Sequence, residues 1–180
     1  MGRCVRHGSK RSAPLSDKPT IRLAKRADVR TLALLSRKEI EHGLPWSWTP
    51  TRLKRFLNLG STNAYVAEVS GQVVGFSVAS LGDARAHLVL LAVDRAFRHR
   101  GIGRELLEWQ LLAAQTAGLA DMSLEVRAAN RTAQLFYASA GFQKVRSLPR
   151  YYCGVEDAVR FRLTPIRSSR RALENDSPAQ

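Results

Sequence analysis

Cysteine is nearly missing from this chain: Cys4 and Cys153 are the only two in 180 residues. Two thiols so far apart build neither a disulfide framework nor a four-ligand zinc site, so a reducing, cytoplasmic setting and no metal centre are expected. Long apolar runs are missing too. No stretch approaches the roughly 18 residues of a membrane span, and the first residues carry no apolar segment of the secretory kind. Neither a membrane-embedded nor an exported protein is expected. No internal repeat is evident. Aromatics are only 7% of the residues and do not interleave with the basic ones as in an RNA-reading motif, so nucleic acid is not the expected partner.

Acidic residues are also scarce, 15 against 29 Lys and Arg, for a formal net charge of +14. The first 20 residues hold five basic and one acidic residue and residues 165–180 hold three and two, which leaves 21 against 12, or +9, on the rest. The central part is therefore basic in its own right and suited to a phosphate-bearing ligand, a nucleic acid or a ribosome. Residues 1–19 and 165–180 have no apolar period and read as disordered tails. Residues 20–164 are long enough for one domain with a real core.

Within that domain the apolar periods alternate between types. Residues 20–25 read as a strand, and Asp28 reads as the cap of a helix with Val29, Leu32, Leu35 and Ile40 on its apolar face. The chain breaks at His42-Gly43-Leu44-Pro45. Trp46 and Trp48 then fall in a loop, and Thr49-Pro50 starts a short helix with Leu53, Phe56 and Leu57. Ser70-Gly71 joins two strands as a hairpin. A strand over 87–93 follows, then a helix with Ile102, Leu106, Trp109 and Ala113 on one face, closed by Gly118. Residues 122–127 alternate, with Ser123, Glu125 and Arg127 on one side. Asn130 caps a helix over 131–140, a strand near 142–145 leads to a loop at Arg150-Tyr151-Tyr152, and Val159, Phe161 and Leu163 mark a last strand. The expectation is an α/β fold with about seven strands and four helices.

The most distinctive words lie where the strand over 87–93 passes into the next helix. Arg98-His99-Arg100-Gly101-Ile102-Gly103 is a basic, glycine-bearing turn leading into a helix, and Arg104 follows. The first N–H groups of a helix lack partners and carry partial positive charge, and glycine lets the backbone approach an anion closely. A diphosphate cradle is implied. The spacing is not that of a Walker loop, and Leu106 stands where the dinucleotide fingerprint needs a third small residue.

This R-x-x-G-x-G word resembles the acetyl-CoA loop of the GCN5-related N-acetyltransferases (GNAT). Other words agree in order: Leu124-Glu125-Val126-Arg127, Asn130, Leu135-Phe136-Tyr137, Gly141-Phe142, Tyr151-Tyr152 and Glu156-Asp157-Ala158. Together with His42-Gly43-Leu44-Pro45-Trp46 they are similar to the bacterial enzymes that acetylate the N-terminal alanine of a ribosomal protein. The resemblance covers residues 20–164 and implies the GNAT fold, a mixed, mostly antiparallel sheet. It implies acetyl-CoA as donor and a primary amine as acceptor, either a protein N-terminus or a small molecule.

Acetyl transfer from a thioester requires a neutral amine, a stabilised oxyanion and a proton for the leaving thiolate. An α-amine, with a pKa of about 7.7–8.0, needs less help from a base than lysine at about 10.4. By resemblance Glu125 is the base and Tyr137 the general acid. His87 is a second candidate base. The resemblance assigns Leu91, Ala92 and Val93, the loop Arg98-His99-Arg100-Gly101-Ile102-Gly103-Arg104, Asn130 and Tyr137 to the coenzyme, with main-chain N–H groups at Leu91 and Val93 polarising the thioester oxygen. Trp46, Trp48, Tyr151 and Tyr152 form the expected acceptor wall. Read without the family, Glu125 is a solvated strand carboxylate paired with an arginine, His87 is structural, Asn130 only caps its helix, the tryptophans are core lids and the tyrosines a surface turn. A small amine or antibiotic as acceptor, and a basic RNA- or ribosome-binding module with a non-catalytic coenzyme site, are the alternative functions.

Overall fold

A computed structural model describes residues 18–166; the two expected tails lie outside them, apart from residues 18–19 and 165–166. Among the described residues, seven strands form one sheet in the order β1-β2-β3-β4-β5-β7-β6. They are β1 (Thr20–Leu23), β2 (Thr62–Val69), β3 (Gln72–Leu81), β4 (Ala86–Val93), β5 (Met122–Arg127), β6 (Gln143–Tyr152) and β7 (Glu156–Leu163). Every pairing is antiparallel except β4 with β5. Four α-helices among the described residues, α1 (Val29–Glu39), α2 (Pro50–Leu57), α3 (Ile102–Thr116) and α4 (Arg131–Ser139), match the expected count.

The hairpin and caps follow from local chemistry. Ser70 and Gly71 both adopt positive φ (51° and 80°), as a two-residue turn matching strand twist requires. Thr49 accepts the Arg52 N–H and Asn130 accepts the Ala133 N–H, each satisfying an orphan donor in the first turn of its helix.

Apolar layers cover both faces. On the front, Leu32, Leu35 and Leu53 of α1 and α2 pack on Val66, Phe76, Val78, Leu90 and Ala92. On the back, Ile102 and Leu106 of α3 cover Ala67, Val69 and Val74, while Leu107 and Leu111 join Tyr137, Phe142, Val159 and Phe161 beside α4. Each fully buried Leu or Phe contributes about 1.5–3 kcal/mol. At Gly75 an added Cβ would lie 3.1 Å from the Ala92 carbonyl oxygen and 3.3 Å from Leu106, so β4 and α3 pack against this position closely enough that a methyl group would have to push them aside by a few tenths of an ångström.

Four expectations are corrected. Asp28 holds the N-cap position of α1 but its side chain caps no N–H of that helix: its carboxylate accepts the Lys25 N–H (2.6 Å) and pairs with Arg22 (2.8 Å), because a short 3-10 turn at 26–28 precedes the helix and turns it backwards. In α3, Ile102 and Leu106 are buried as expected, but the buried stripe continues through Leu107, Gln110, Leu111 and Ala114, leaving Trp109 and Ala113 on its flank. Gln110 can enter the core because Ser77 Oγ (3.1 Å) and the Asn63 carbonyl (3.3 Å) accept its amide. Tyr151 and Tyr152 close a ten-residue strand rather than a loop, since β6 absorbs irregularities near Val145 and Pro149 and pairs again with β7 at Tyr152↔Glu156. Finally, Ile166 is buried and donates its N–H to the Ala120 carbonyl, two residues beyond the expected boundary.

Candidate active site

The site begins with a shift of register. Against β3, Val78 faces Leu90 and Ala79 faces Leu88, so Val89 is an extra residue in β4. Before it, Ala86 and Leu88 pack on the back; after it, Leu90 and Ala92 pack on the front and Leu91 and Val93 turn to α3. His87 therefore projects on the front. Strand β5 pairs with β4 only at Ala86↔Met122 and His87↔Ser123, then departs. A fork opens between them. The Asp94 N–H bonds the Val74 carbonyl of β3; by strand alternation the N–H groups of Val93 and Leu91 point the other way, into the fork.

At the mouth of the fork lies the basic turn. His99 (φ 62°) and Gly101 (φ 78°) take left-handed conformations that bring the chain round into α3. Gly101 has no side chain to cap the helix, and the first intrahelical bond is Glu105 N–H to the Gly101 carbonyl. The three N–H groups between are free to meet an anion. A Cβ on Gly103 would meet only Phe136 and Val93, at an ordinary 3.7 Å. The fold itself tolerates a methyl there.

Gly103 lines a groove of about 1110 Å³ running from α3 and α4 past Leu91, Ala92 and Val93 to the end of α1. Of the residues expected at the coenzyme, all but Arg100 line it; the Arg100 guanidinium stands 5.2 Å from the centre of the Phe97 ring. Arg98 lines the groove already engaged, its Nε donating to the Val93 carbonyl (3.2 Å) and its Nη2 pairing with Glu39. Burial and the neighbouring Tyr152 push the Tyr137 phenol well above its ordinary value.

Across the fork, on the front, the structure joins residues that the sequence offered as alternatives. His87 Nε2 is 3.2 Å from Glu125 Oε2, and His87 Nδ1 is 3.1 Å from Ser123 Oγ. The other Glu125 oxygen accepts from Arg160 Nε at 2.6 Å. Burial alone would raise the Glu125 carboxyl, but His87 and Arg160 outweigh it and hold it below the ordinary carboxylate range. Tyr151 lies beside this carboxylate; burial and the Glu125 charge raise its phenol. Tyr152 donates to the Glu125 carbonyl (3.3 Å) and stands edge-on to Tyr151.

The tryptophans divide. Trp48 packs edge-on against Phe56 with Arg52 over its ring, as a core lid would, whereas Trp46 is 38% exposed and donates its indole N–H to the Trp48 carbonyl. Sequence reasoning missed the residues that organise this neighbourhood. Glu41, 5% exposed, accepts the Ser47 N–H (2.8 Å), the Ser47 hydroxyl and the Trp48 N–H. Arg127 spans from Glu156 to the carbonyls of Ile40 (3.3 Å) and His42 (2.9 Å), tying the loop after α1 to β5 and β7. A carboxylate just past a helix C-terminus, where the dipole disfavours it, was the available signal for Glu41.

The Acetyltransferase (GNAT) family model matches residues 32–142. An uncharacterised N-acetyltransferase of Methanocaldococcus jannaschii is 38% identical over 96 residues, and the match covers 53% of this chain and 62% of that one. The [ribosomal protein bS18]-alanine N-acetyltransferase of Salmonella typhimurium is 34% identical over 124 residues, 66% of this chain and 80% of the relative. The solved structure of the Escherichia coli ribosomal-protein-S18-alanine N-acetyltransferase superposes with a TM-score of 0.71 at 28% identity, covering 83% of this chain and 94% of that one. Strand fork, anion-ready helix start and family match agree: the chain belongs to the GNAT acetyltransferase family and is an N-acetyltransferase that takes its acetyl group from acetyl-CoA.

Proposed function

We propose that the acceptor is the α-amine of a protein N-terminus. The observation that carries this reading is the Glu125 carboxylate, wedged between His87 and Arg160 and held below its ordinary range. So weak a base suits an α-amine, about half of which is neutral near pH 8, and suits a lysine poorly. The names of relatives, a ribosomal-protein alanine acetyltransferase and an N-alpha-acetyltransferase, point the same way. A ribosomal or nascent-chain acceptor would place the enzyme in the cytoplasm and near the ribosome.

Acetyl-CoA supplies the activated thioester. The free N–H groups at the start of α3, with Arg104, hold its diphosphate; Leu91 and Val93 direct main-chain N–H groups at the thioester oxygen; Asn130 borders the same groove. Glu125 with His87 draws the proton from the acceptor on the front face, and Tyr137 returns one to the leaving thiolate. Tyr151 and Tyr152 border the acceptor. Among the described residues no helix packs on the front of β5, β7 and β6, which favours an extended peptide over an enclosed small amine.

Mass spectrometry after incubation with acetyl-CoA tests this against a panel of peptides with free α-amines, peptides with only lysine amines, and free small amines. Acetylation confined to the α-amine peptides is the expected result. Turnover of lysine or small amines alone would overturn it.

A further inference from the structure

Arg160 does more than hold Glu125. Its Nε donates to Glu125 Oε1, and among the described residues its two terminal nitrogens make no hydrogen bond; its side chain is 33% exposed on the front face. Directly opposite in the β6–β7 pairing stands the exposed Arg146. Like charges facing each other across two strands destabilise the pair unless a counter-charge lies between them. Two residues along β7, Arg162 projects on the same side and pairs with Asp121 at 3.1 Å. The strip therefore sets three guanidinium groups against two carboxylates, one of them Glu125 itself, on a part of the sheet that no helix covers among the described residues.

Resting on the N-terminal reading above, we infer that Arg160, facing Arg146, selects acceptors with a carboxylate in their first two residues. The planar guanidinium keeps one edge on Glu125 and offers its other donors to the incoming side chain. Arg160 thus acts as a specificity residue as well as a positioning one.

The test compares kcat/KM for matched peptides that differ only in charge: Asp against Asn at the first position, and Ala-Asp against Ala-Asn at the first two. The wild-type enzyme should prefer the acidic member by about tenfold or more, as a hydrogen bond to a charged group allows. In Arg160→Gln the ratio should fall to about one, whatever happens to the absolute rate. A residue that only steadied Glu125 would lower both rates and leave the ratio alone. Arg160→Lys keeps a charge beside Glu125 but loses the planar donor set, so it should retain more turnover than Arg160→Gln with a reduced preference. Equal wild-type rates on the two peptides, or a preference that survives Arg160→Gln, would overturn the inference while leaving the N-terminal acceptor standing. Failure to acetylate any α-amine would remove that reading and this inference together.

Discussion

Arg98, the first residue of the coenzyme-loop word, is paired with Glu39 at the end of α1 while its Nε holds the Val93 carbonyl. The Glu39 side chain is only 6% exposed, and it also accepts the Arg95 N–H (3.4 Å). Lys38 reaches Asp94 at 3.0 Å alongside. Helix α1 is thereby stitched to the turn that feeds α3, and Arg98 serves that seam before it serves any ligand.

Arg98→Ala should therefore behave as a stability variant. Losing one partner of a mostly buried carboxylate costs about 1–3 kcal/mol, or roughly 2–10 °C in Tm for a chain of this size. Arg104→Ala, which lines the groove from an exposed position, should leave Tm within about 1 °C and raise the KM for acetyl-CoA roughly threefold to tenfold. Thermal unfolding and donor titration separate the two.

A second contrast sets Gly75 against Gly103. A Cβ at Gly75 would press on the Ala92 carbonyl and Leu106, so Gly75→Val should cost about 1–3 kcal/mol. Gly103→Ala meets only ordinary contacts. It should fold normally and bind acetyl-CoA more weakly in calorimetry, because the methyl group occupies ligand space.

The depressed carboxyl of Glu125 has a signed consequence. A group whose folded-state pKa lies below its unfolded value stabilises the fold fully above the unfolded value, about 4.3 for Glu, and loses that contribution as pH falls through the folded one. The Tm difference between wild type and Glu125→Gln should be level above about pH 5 and move against the wild type below about pH 4. In activity, Glu125 is ionised throughout the neutral range, so the acid limb of kcat/KM should follow the acceptor amine, with an apparent pKa of about 8.

Tyr137 is 7% exposed and stays neutral far into the alkaline range. Tyr137→Phe should fold and bind donor much as wild type does, while kcat falls by roughly 10²-fold or more. Single-turnover measurements with saturating acetyl-CoA would show whether the loss lies in the chemical step.

Much of this was legible in the chain because the signals are local. Thr49, Asn130, Ser70-Gly71 and Gly101 each act within a few residues of themselves, and alternation in 122–127 was enough to put Glu125 and Arg127 on one face. Partners across the sheet were not legible. Nothing near position 125 says that Arg160 sits opposite it, or that His87 reaches it from β4, since both depend on strand order. Asp28 misled because a 3-10 turn and an α-helix share the same start signal. The β6 tyrosines misled because the strand loses register with β7 between Lys144 and Arg146 and again between Leu148 and Tyr152, so its period fades before they are reached, while Pro149 is tolerated there because β6 is an edge strand.

The surplus Val89 in β4 has a consequence for how the site is assembled. One strand, clamped by β3 along its length and by β5 at its start, carries both the imidazole on one side and the amide hydrogens of Leu91 and Val93 directed into the fork. Four peptide units separate His87 from Leu91, and six separate it from Val93. Their spacing is therefore set by the folded strand itself, before any ligand arrives.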